Sequence, residues 1–146
     1  MPLRAQTQRQ HAGIAGAQRQ TQQTGVHDCT SAITAGALNI TATASGAAIG
    51  ATGAADINVT LSGVLTATAD TGAGGIFITD SSDTSLGDIK AGSGNIEIIS
   101  TGDITTSANL DIITTGDISL TSTQSEGIFT KHADSDIGAA NITIVA

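Results

Sequence analysis

Residues 95–105 read Asn-Ile-Glu-Ile-Ile-Ser-Thr-Gly-Asp-Ile-Thr, and residues 109–119 read Asn-Leu-Asp-Ile-Ile-Thr-Thr-Gly-Asp-Ile-Ser. Seven of the eleven positions are identical when Asn95 is aligned with Asn109. Self-similarity of this kind is typical of repeat proteins, in which one unit cannot bury its apolar side chains alone and stacks on its neighbours. The two stretches therefore predict a repeat protein that is built from short strands.

The same opening, an Asn or Gly followed by alternating apolar residues, occurs at seven places that are on average about 17 residues apart. The seven units begin at Asn39, Asn58, Gly75, Asn95, Asn109, Gly127 and Asn141. Asn and Gly adopt a positive φ most readily, which suits a turn before each strand. A second apolar site follows in most units, at Ile49, Val64 or Leu65, Ile89, Ile104, Ile118 and Ile137.

This pattern predicts an all-β fold, a parallel β-helix or β-solenoid of about six to seven coils over residues 33–146, in which Ile stacks on Ile. Residues 1–32, which are rich in Gln, Ala and Arg, are predicted to be disordered. A β-sandwich is the alternative, because strands that recur every 8 to 12 residues also suit that fold. A sandwich, however, gives no reason for near-identical successive units.

The composition excludes several classes of partner. The chain has no Trp, no Tyr and only two Phe, against 18 Gly, 23 Thr and 19 Ile, so it lacks an aromatic platform for nucleic acid. Residues 31–146 carry two Lys against twelve acids, and this charge repels nucleic acid and anionic membranes. No apolar run is long enough to cross a bilayer as a helix, so we expect no insertion into a membrane.

Period-2 alternation assigns the two sides of the first strand in each unit. The inward residues are predicted to be Ile40, Val59, Ile76, Ile96, Leu110, Ile128 and Ile142, and the residue after each is predicted to point outward. Both phenylalanines, Phe77 and Phe129, then lie outside, where an exposed aromatic ring is a candidate contact for a partner. The alternative is that a loop or a flanking segment covers them.

Four aspartates precede an apolar residue at the second site, namely Asp88, Asp103, Asp117 and Asp136. If the coils stay in register, these carboxylates form a column in which like charges repel, and a counter-ion would relieve that repulsion. Calcium is the candidate cofactor, since it prefers oxygen ligands. In the alternative interpretation each Asp hydrogen-bonds its own turn and faces solvent.

No arrangement of residues points to catalysis. The three histidines lie far apart, and Lys90 and Lys131 are too few and too widely spaced for the cluster of Arg, Lys and Asp that polysaccharide-active β-helix enzymes carry. The single cysteine, Cys29, excludes an internal disulfide and a multi-cysteine zinc site. We therefore expect a protein that is not an enzyme, with a polysaccharide-active enzyme as a distant alternative.

Residues 33–146 contain the runs GSGNIEIISTGDITTS, at 92–107, and SANLDIITTGDISLTS, at 107–122. In these runs the chain resembles the repeat regions of large bacterial exoproteins of the filamentous-haemagglutinin and autotransporter-adhesin type. The resemblance implies a right-handed parallel β-helix that belongs to a longer exported protein and is extracellular or at the bacterial cell surface. It also implies adhesion to a host-cell or neighbouring-cell surface, or contact within a biofilm.

Residues 141–146, Asn-Ile-Thr-Ile-Val-Ala, read as a strand opening with no polar cap after it. An uncapped solenoid end exposes unpaired backbone and apolar side chains, which favours pairing with another chain.

The solenoid pattern and the resemblance together give the expected function, a structural or adhesive surface protein that acts as a β-solenoid stalk without catalysis. The alternative is a fibre subunit that joins sister copies end to end by strand pairing.

Overall fold

The computed structural model of the chain describes residues 20–22, 32–53, 55–69 and 72–146. These residues form fourteen strands and no helix. The strands are β1 (Gln20–Gln22), β2 (Ile33–Ala35), β3 (Leu38–Thr41), β4 (Ile57–Leu61), β5 (Val64–Ala69), β6 (Ile76–Asp80), β7 (Thr84–Ala91), β8 (Ile96–Ser100), β9 (Ile104–Thr106), β10 (Asp111–Ile113), β11 (Asp117–Ser122), β12 (Phe129–Thr130), β13 (Asp136–Gly138) and β14 (Asn141–Val145). The segment predicted to be disordered, residues 1–32, lies outside the described residues except for β1 and Ala32.

All pairings between the described strands are parallel. One sheet has six strands in the order β14-β11-β8-β6-β4-β2, and the other has eight strands along the path β1-β3-β5-β7-β10-β13, with β9 and β12 beside it. The chain returns to the six-stranded sheet after every one or two strands of the other sheet, as it does when it winds around one axis. The predicted β-solenoid is confirmed, with about five turns rather than six to seven.

Each turn has three faces. Face 1 is the six-stranded sheet. The eight-stranded sheet bends within β7, whose residues 84–86 pair with β9 while Ile89 and Lys90 pair with β10. Face 2 therefore comprises β9, β12 and the first part of β7, and face 3 comprises β10, β13 and the last part of β7. Face 3 continues into residues 67–69 of β5 and residues 40–41 of β3. The chain passes through face 1, face 2 and face 3 in every turn.

The register gives the true length of a turn. On face 1, Ile76 pairs with Ile96, Ile96 with Ile118, and Ile118 with Ile142. One turn therefore takes more than 20 positions on average, and the mean spacing predicted from the sequence was too short. The Asn and Gly openings mark individual strands on different faces, because each corner of the solenoid needs a similar turn.

The core consists of columns of inward side chains that run along the axis. Face 1 contributes the column Ile57, Ile78, Ile98, Leu120 and Ile144, and face 3 contributes Ile40, Ala67, Ile89, Ile112 and Ile137. In the middle turns these residues are fully buried. Each buried methylene contributes roughly 0.8 kcal/mol, so stacked aliphatic side chains fill this narrow core without large aromatics.

Glycines permit close contact between turns at the corner that precedes face 1. A Cβ on Gly94 would overlap the carbonyl oxygen of Gly74 in the preceding turn, and a Cβ on Gly116 would lie 2.7 Å from the carbonyl oxygen of Gly94. The corner between face 3 and face 1 is therefore a column of glycines. In β7, Gly87 is an extra residue opposite a register shift in β5, which marks a β-bulge where the sheet bends.

Candidate functional site

The outward side of face 1 carries a column of four residues in successive turns. The register places Phe77 beside Glu97, Glu97 beside Ser119, and Ser119 beside Thr143. Phe77 is half-buried because its ring lies over Gly75, where a Cβ would come within 2.6 Å of the ring. The outward direction predicted for Phe77 is confirmed, and the register places the residue next to Glu97.

The outward direction predicted for Phe129 was wrong. Phe129 pairs with Ile104, which is buried, and its side chain packs against the core. Ile128, predicted to point inward, has 56% of its surface exposed. The strand begins one residue later than the sequence pattern indicated, because the backbone N–H of Ile128 is held at the corner by Asp103 Oδ1 at 3.0 Å.

The four aspartates predicted to form a calcium column lie on different faces. Asp88 and Asp136 belong to face 3, Asp103 precedes the face 2 strand β9, and Asp117 begins the face 1 strand β11. They therefore do not form one column, because the Gly-Asp-Ile motif recurs at different corners of a turn. Within the described ranges, no group of three or more His, Cys, Asp or Glu residues is arranged to hold a metal ion.

On face 3, Asp111 lies between Asp88 of the preceding turn and Asp136 of the next turn, so these three aspartates form a row. It pairs in register with Asp136, and its backbone N–H donates to Asp88 Oδ1 at 3.0 Å. Lys90 Nζ lies 3.8 Å from Asp111 Oδ2, so a cation of the chain itself lies beside this row of carboxylates. Asp111 was not predicted as a calcium ligand, because the sequence pattern placed it in the first strand of a unit and not at the second site.

Side chains of Asp and Asn at the corners connect one turn to the next. Asp83 Oδ1 accepts a hydrogen bond from the N–H of Asp103, and Asn95 Oδ1 accepts one from the N–H of Asp117, each at 3.0 Å. Asn141 Nδ2 in turn donates to Asp117 Oδ1 at 2.7 Å. These bonds cross between turns, whereas the sequence interpretation had each Asp bonding within its own turn. Their role in this structure is to stack the coils.

A second set of polar groups lies inside the corner between face 1 and face 2. Asp80, Ser100 and Ser122 pair in register in successive turns, and all three are buried. Ser100 Oγ accepts from the N–H of Gly102 at 3.1 Å and donates to the carbonyl oxygen of Ser82 in the preceding turn at 2.7 Å. The Ser100 hydroxyl therefore bonds the backbone of its own corner and also the backbone of the preceding turn.

Asp80 is the charged member of this set and is fully buried. Its Oδ1 accepts from Ser82 Oγ at 2.6 Å, from the N–H of Ser82 at 3.1 Å and from the N–H of Leu61 at 3.3 Å. Its Oδ2 accepts from Thr84 Oγ1 at 3.2 Å. The polar set of Asp80, Ser100 and Ser122 was not predicted from the sequence. The available signal was a Ser or Thr two residues before a Gly at the end of a strand, as in Ser100-Thr101-Gly102 and Thr114-Thr115-Gly116.

A groove of about 280 Å³ follows the same corner on its outer side. Six of its lining residues carry a hydroxyl or a carboxylate, namely Ser62, Ser82, Asp83, Thr84, Ser85 and Thr105. Asp83 already accepts a hydrogen bond from the next turn, and Ser82 already bonds Asp80. Polar and apolar atoms contribute about equally to the lining of the groove, and Ser82 and Asp83 serve the stacking of turns.

No family model matches the chain, and searches among curated proteins and solved structures find no similar protein. Within the part of the chain that the structure describes, no helix is long and apolar enough to cross a membrane. Function must therefore be inferred from the geometry of this chain.

Proposed function

We propose that this protein is a structural module without catalytic activity, a short rigid rod that presents an adhesive surface outside the cell or at the bacterial cell surface. The proposal combines two properties of the solenoid. One is the way its polar groups hold consecutive turns together, and the other is the chemistry of the outward side of face 1.

The rod-like character is supported by the corner hydrogen bonds. Asp83, Asp88 and Asn95 each accept a backbone N–H from the next turn, and they do so at three different corners. Bonds at separate corners resist tilting of one turn against the next, because any tilt must break at least one of them. About five turns at a spacing of about 4.8 Å give a rod roughly 24 Å long.

The observation that carries the adhesive role is the position of Phe77. Its ring points outward on the parallel sheet of face 1, beside Glu97 of the adjacent turn. Thr79 and Ile99 form the neighbouring outward column. An aromatic ring beside hydrogen-bonding groups combines apolar contact area with polar specificity, which is the chemistry of many contact surfaces. We therefore propose that face 1 contacts the surface of a host cell or a neighbouring cell.

Bead retention tests this proposal. Beads coated with the chain are passed over cultured epithelial cells and over a bacterial biofilm, and beads coated with albumin give the background. We expect the Phe77→Ala variant to lose most of the retention above background. The matched control is Thr121→Ser, an equally half-buried outward position on the same face. Retention no greater than that of albumin on both surfaces would refute the adhesive role.

A further inference from the structure

The outward ring of Phe77 lies between carboxylates that belong to the two neighbouring turns. In the next turn, Glu97 is its register partner on the outward side of face 1. In the preceding turn, the carboxylate of Asp56 accepts a hydrogen bond from Thr79 Oγ1, two residues after Phe77 and on the same side of the strand. The ring is therefore flanked by negative charge along the axis of the solenoid.

The position of the Phe77 ring is set by its contact with Gly75. A Cβ on Gly75 would lie 2.6 Å from one ring carbon and 2.8 Å from another, so the ring occupies the space that a side chain would need. One side of the ring covers this backbone, and the residue remains partly exposed. A ring that is already positioned is covered by a ligand with little loss of side-chain entropy.

The Glu97 carboxylate is partly exposed, and no hydrogen bond or ion pair joins it to another described residue. The two lysines of the described residues lie on other parts of the solenoid. Lys90 is beside Asp111 on face 3, and Lys131 is in the corner that follows β12. Among the described residues, therefore, no positive charge competes for Glu97.

We propose that Phe77 and Glu97 form a binding site for an arginine side chain on the surface of a partner protein. A guanidinium group is planar and weakly hydrated, stacks on aromatic rings and forms paired hydrogen bonds with a carboxylate. Neighbouring strands are about 4.8 Å apart, so a guanidinium on the ring brings its edge within reach of Glu97 in the next turn. Asp56 adds negative potential on the opposite side.

The charge of the chain favours a basic partner over a neutral ligand. Residues 31–146 carry two Lys against twelve acids, and this excess attracts a basic surface over about 10 Å at moderate ionic strength. A lysine fits the site less well than an arginine, because its ammonium group is compact and strongly hydrated and does not stack. A neutral sugar is not attracted by the charge of the two flanking carboxylates.

This inference rests on the proposed contact role of face 1 and names the chemistry of that contact. Its test needs no cells, so the two proposals fail separately. Bead retention without arginine binding would keep the adhesive role and overturn the arginine site. Arginine binding without bead retention would refute the adhesive role and leave the arginine site in place.

Titration of the ¹⁵N-labelled chain with acetyl-arginine amide, followed by amide chemical shifts, tests the site. The probe is capped at both ends, so it represents an arginine within a protein chain. Acetyl-citrulline amide is the matched control probe, because its side chain has nearly the same shape but no charge. We expect saturable shifts at Phe77 and Glu97 with the arginine probe and about fivefold weaker binding of the citrulline probe.

Three variants locate the binding. Phe77→Leu keeps an apolar side chain but removes the ring, and Glu97→Gln keeps the size of the side chain but removes its charge. We expect each of these to weaken binding about threefold. The matched control is Glu126→Gln, which removes one charge from an exposed position in the corner between β11 and β12 and should leave binding unchanged. The amide spectrum of each variant shows whether the solenoid is retained.

Equal binding of the two probes would overturn the proposal, because the guanidinium charge would then play no part. Equal weakening by Glu97→Gln and Glu126→Gln would overturn it as well, since the attraction would be spread over the acidic chain. Tighter saturation of the same positions by methyl glucoside would assign the ring to a sugar. Absence of binding would also refute the site. Binding that appears only after Arg4, Arg9 and Arg19 are replaced by Gln would show that the chain's own arginines fill it.

Discussion

Ile96 lies beside Ile118, one full turn later in the chain, and not beside Leu110, its counterpart in the strongest repeat of the sequence. Strands β8 and β10 have closely similar sequences, yet they occupy face 1 and face 3 of the same turn. The internal repeat therefore records two different corners of one coil. Stacking partners are found one full turn away, where the sequences are less alike.

The glycine column at the corner between face 3 and face 1 predicts a steric cost for Gly94→Ala. The added Cβ meets backbone atoms of Gly74 and Gly75, which cannot move without separating two turns. We expect the free energy of unfolding in urea to fall by about 1–3 kcal/mol. Gly36→Ala is the control, because nothing lies within 4 Å of its added Cβ. An equal loss in both variants would contradict the close-approach explanation.

Buried Asp80 predicts a graded response to substitution. Asp80→Ala removes the carboxylate that accepts from the Ser82 N–H and from Thr84 Oγ1, and we expect a loss of about 3 kcal/mol in the free energy of unfolding. Asp80→Ser restores the residue type found at Ser100 and Ser122 and should recover at least half of that loss. Chemical denaturation measures both values. A serine variant as unstable as the alanine variant would argue against one shared role for this column.

The corner bonds between turns predict a specific role for Asp103. Asp103→Ala removes the acceptor of the Ile128 N–H and should lower the free energy of unfolding by about 1 kcal/mol. Hydrogen exchange should also accelerate at Ile128. Asp134→Ala serves for comparison, because that side chain is exposed and only faces His132 at 3.8 Å, and we expect almost no change. Unchanged exchange at Ile128 in the Asp103 variant would disprove the bond.

The opposite orientations of the two phenylalanines predict different costs of truncation. Phe129→Ala removes a side chain that packs against the core, and we expect a loss of about 2 kcal/mol in thermal or urea unfolding. Phe77→Ala removes a ring that lies over Gly75 on the outer side, and the loss should stay below about 1 kcal/mol. A larger cost at Phe77 would mean that its ring contributes to the core.

The distribution of Asp88, Asp103, Asp117 and Asp136 over three faces predicts no specific response to calcium. We expect the thermal unfolding midpoint to be the same in millimolar calcium, in millimolar magnesium and with a chelator. The reason is that these carboxylates are separated or already accept hydrogen bonds from the chain. A rise in the midpoint with calcium alone would restore the calcium-site prediction.

The alternation of apolar and polar residues predicted which side chains of face 1 point inward. Ile76, Ile96 and Val59 are buried as expected, because alternation is a local property of any strand with one buried side. The same reasoning failed at Ile128 and Phe129, because the corner before β12 is one residue longer than the sequence pattern indicated. The start of a strand after a long corner depends on hydrogen bonds to the preceding turn, and those bonds join residues far apart in sequence.

The candidate site was predicted only in part. Phe77 was identified correctly as an outward aromatic residue, since its strand is regular from Ile76 onward. The neighbours of Phe77 were not predicted, because Glu97 and Ser119 join its column only when whole turns are stacked in the correct register. The buried role of Asp80 was missed for a related reason. Its partner Leu61 belongs to another turn, and no local pattern reveals that contact.

Residue alternation, Gly- and Asn-bearing corners and the lack of large aromatics are local or compositional properties, and they were enough to predict an all-β solenoid with an aliphatic core. The number of corners in one turn, and thus the identity of the residues that stack, follows from the folded structure alone. That choice rests on parallel pairing and on corner hydrogen bonds between residues about 20 positions apart. Similar corners have similar sequences, so the repeat could not distinguish three faces of one turn from three successive turns.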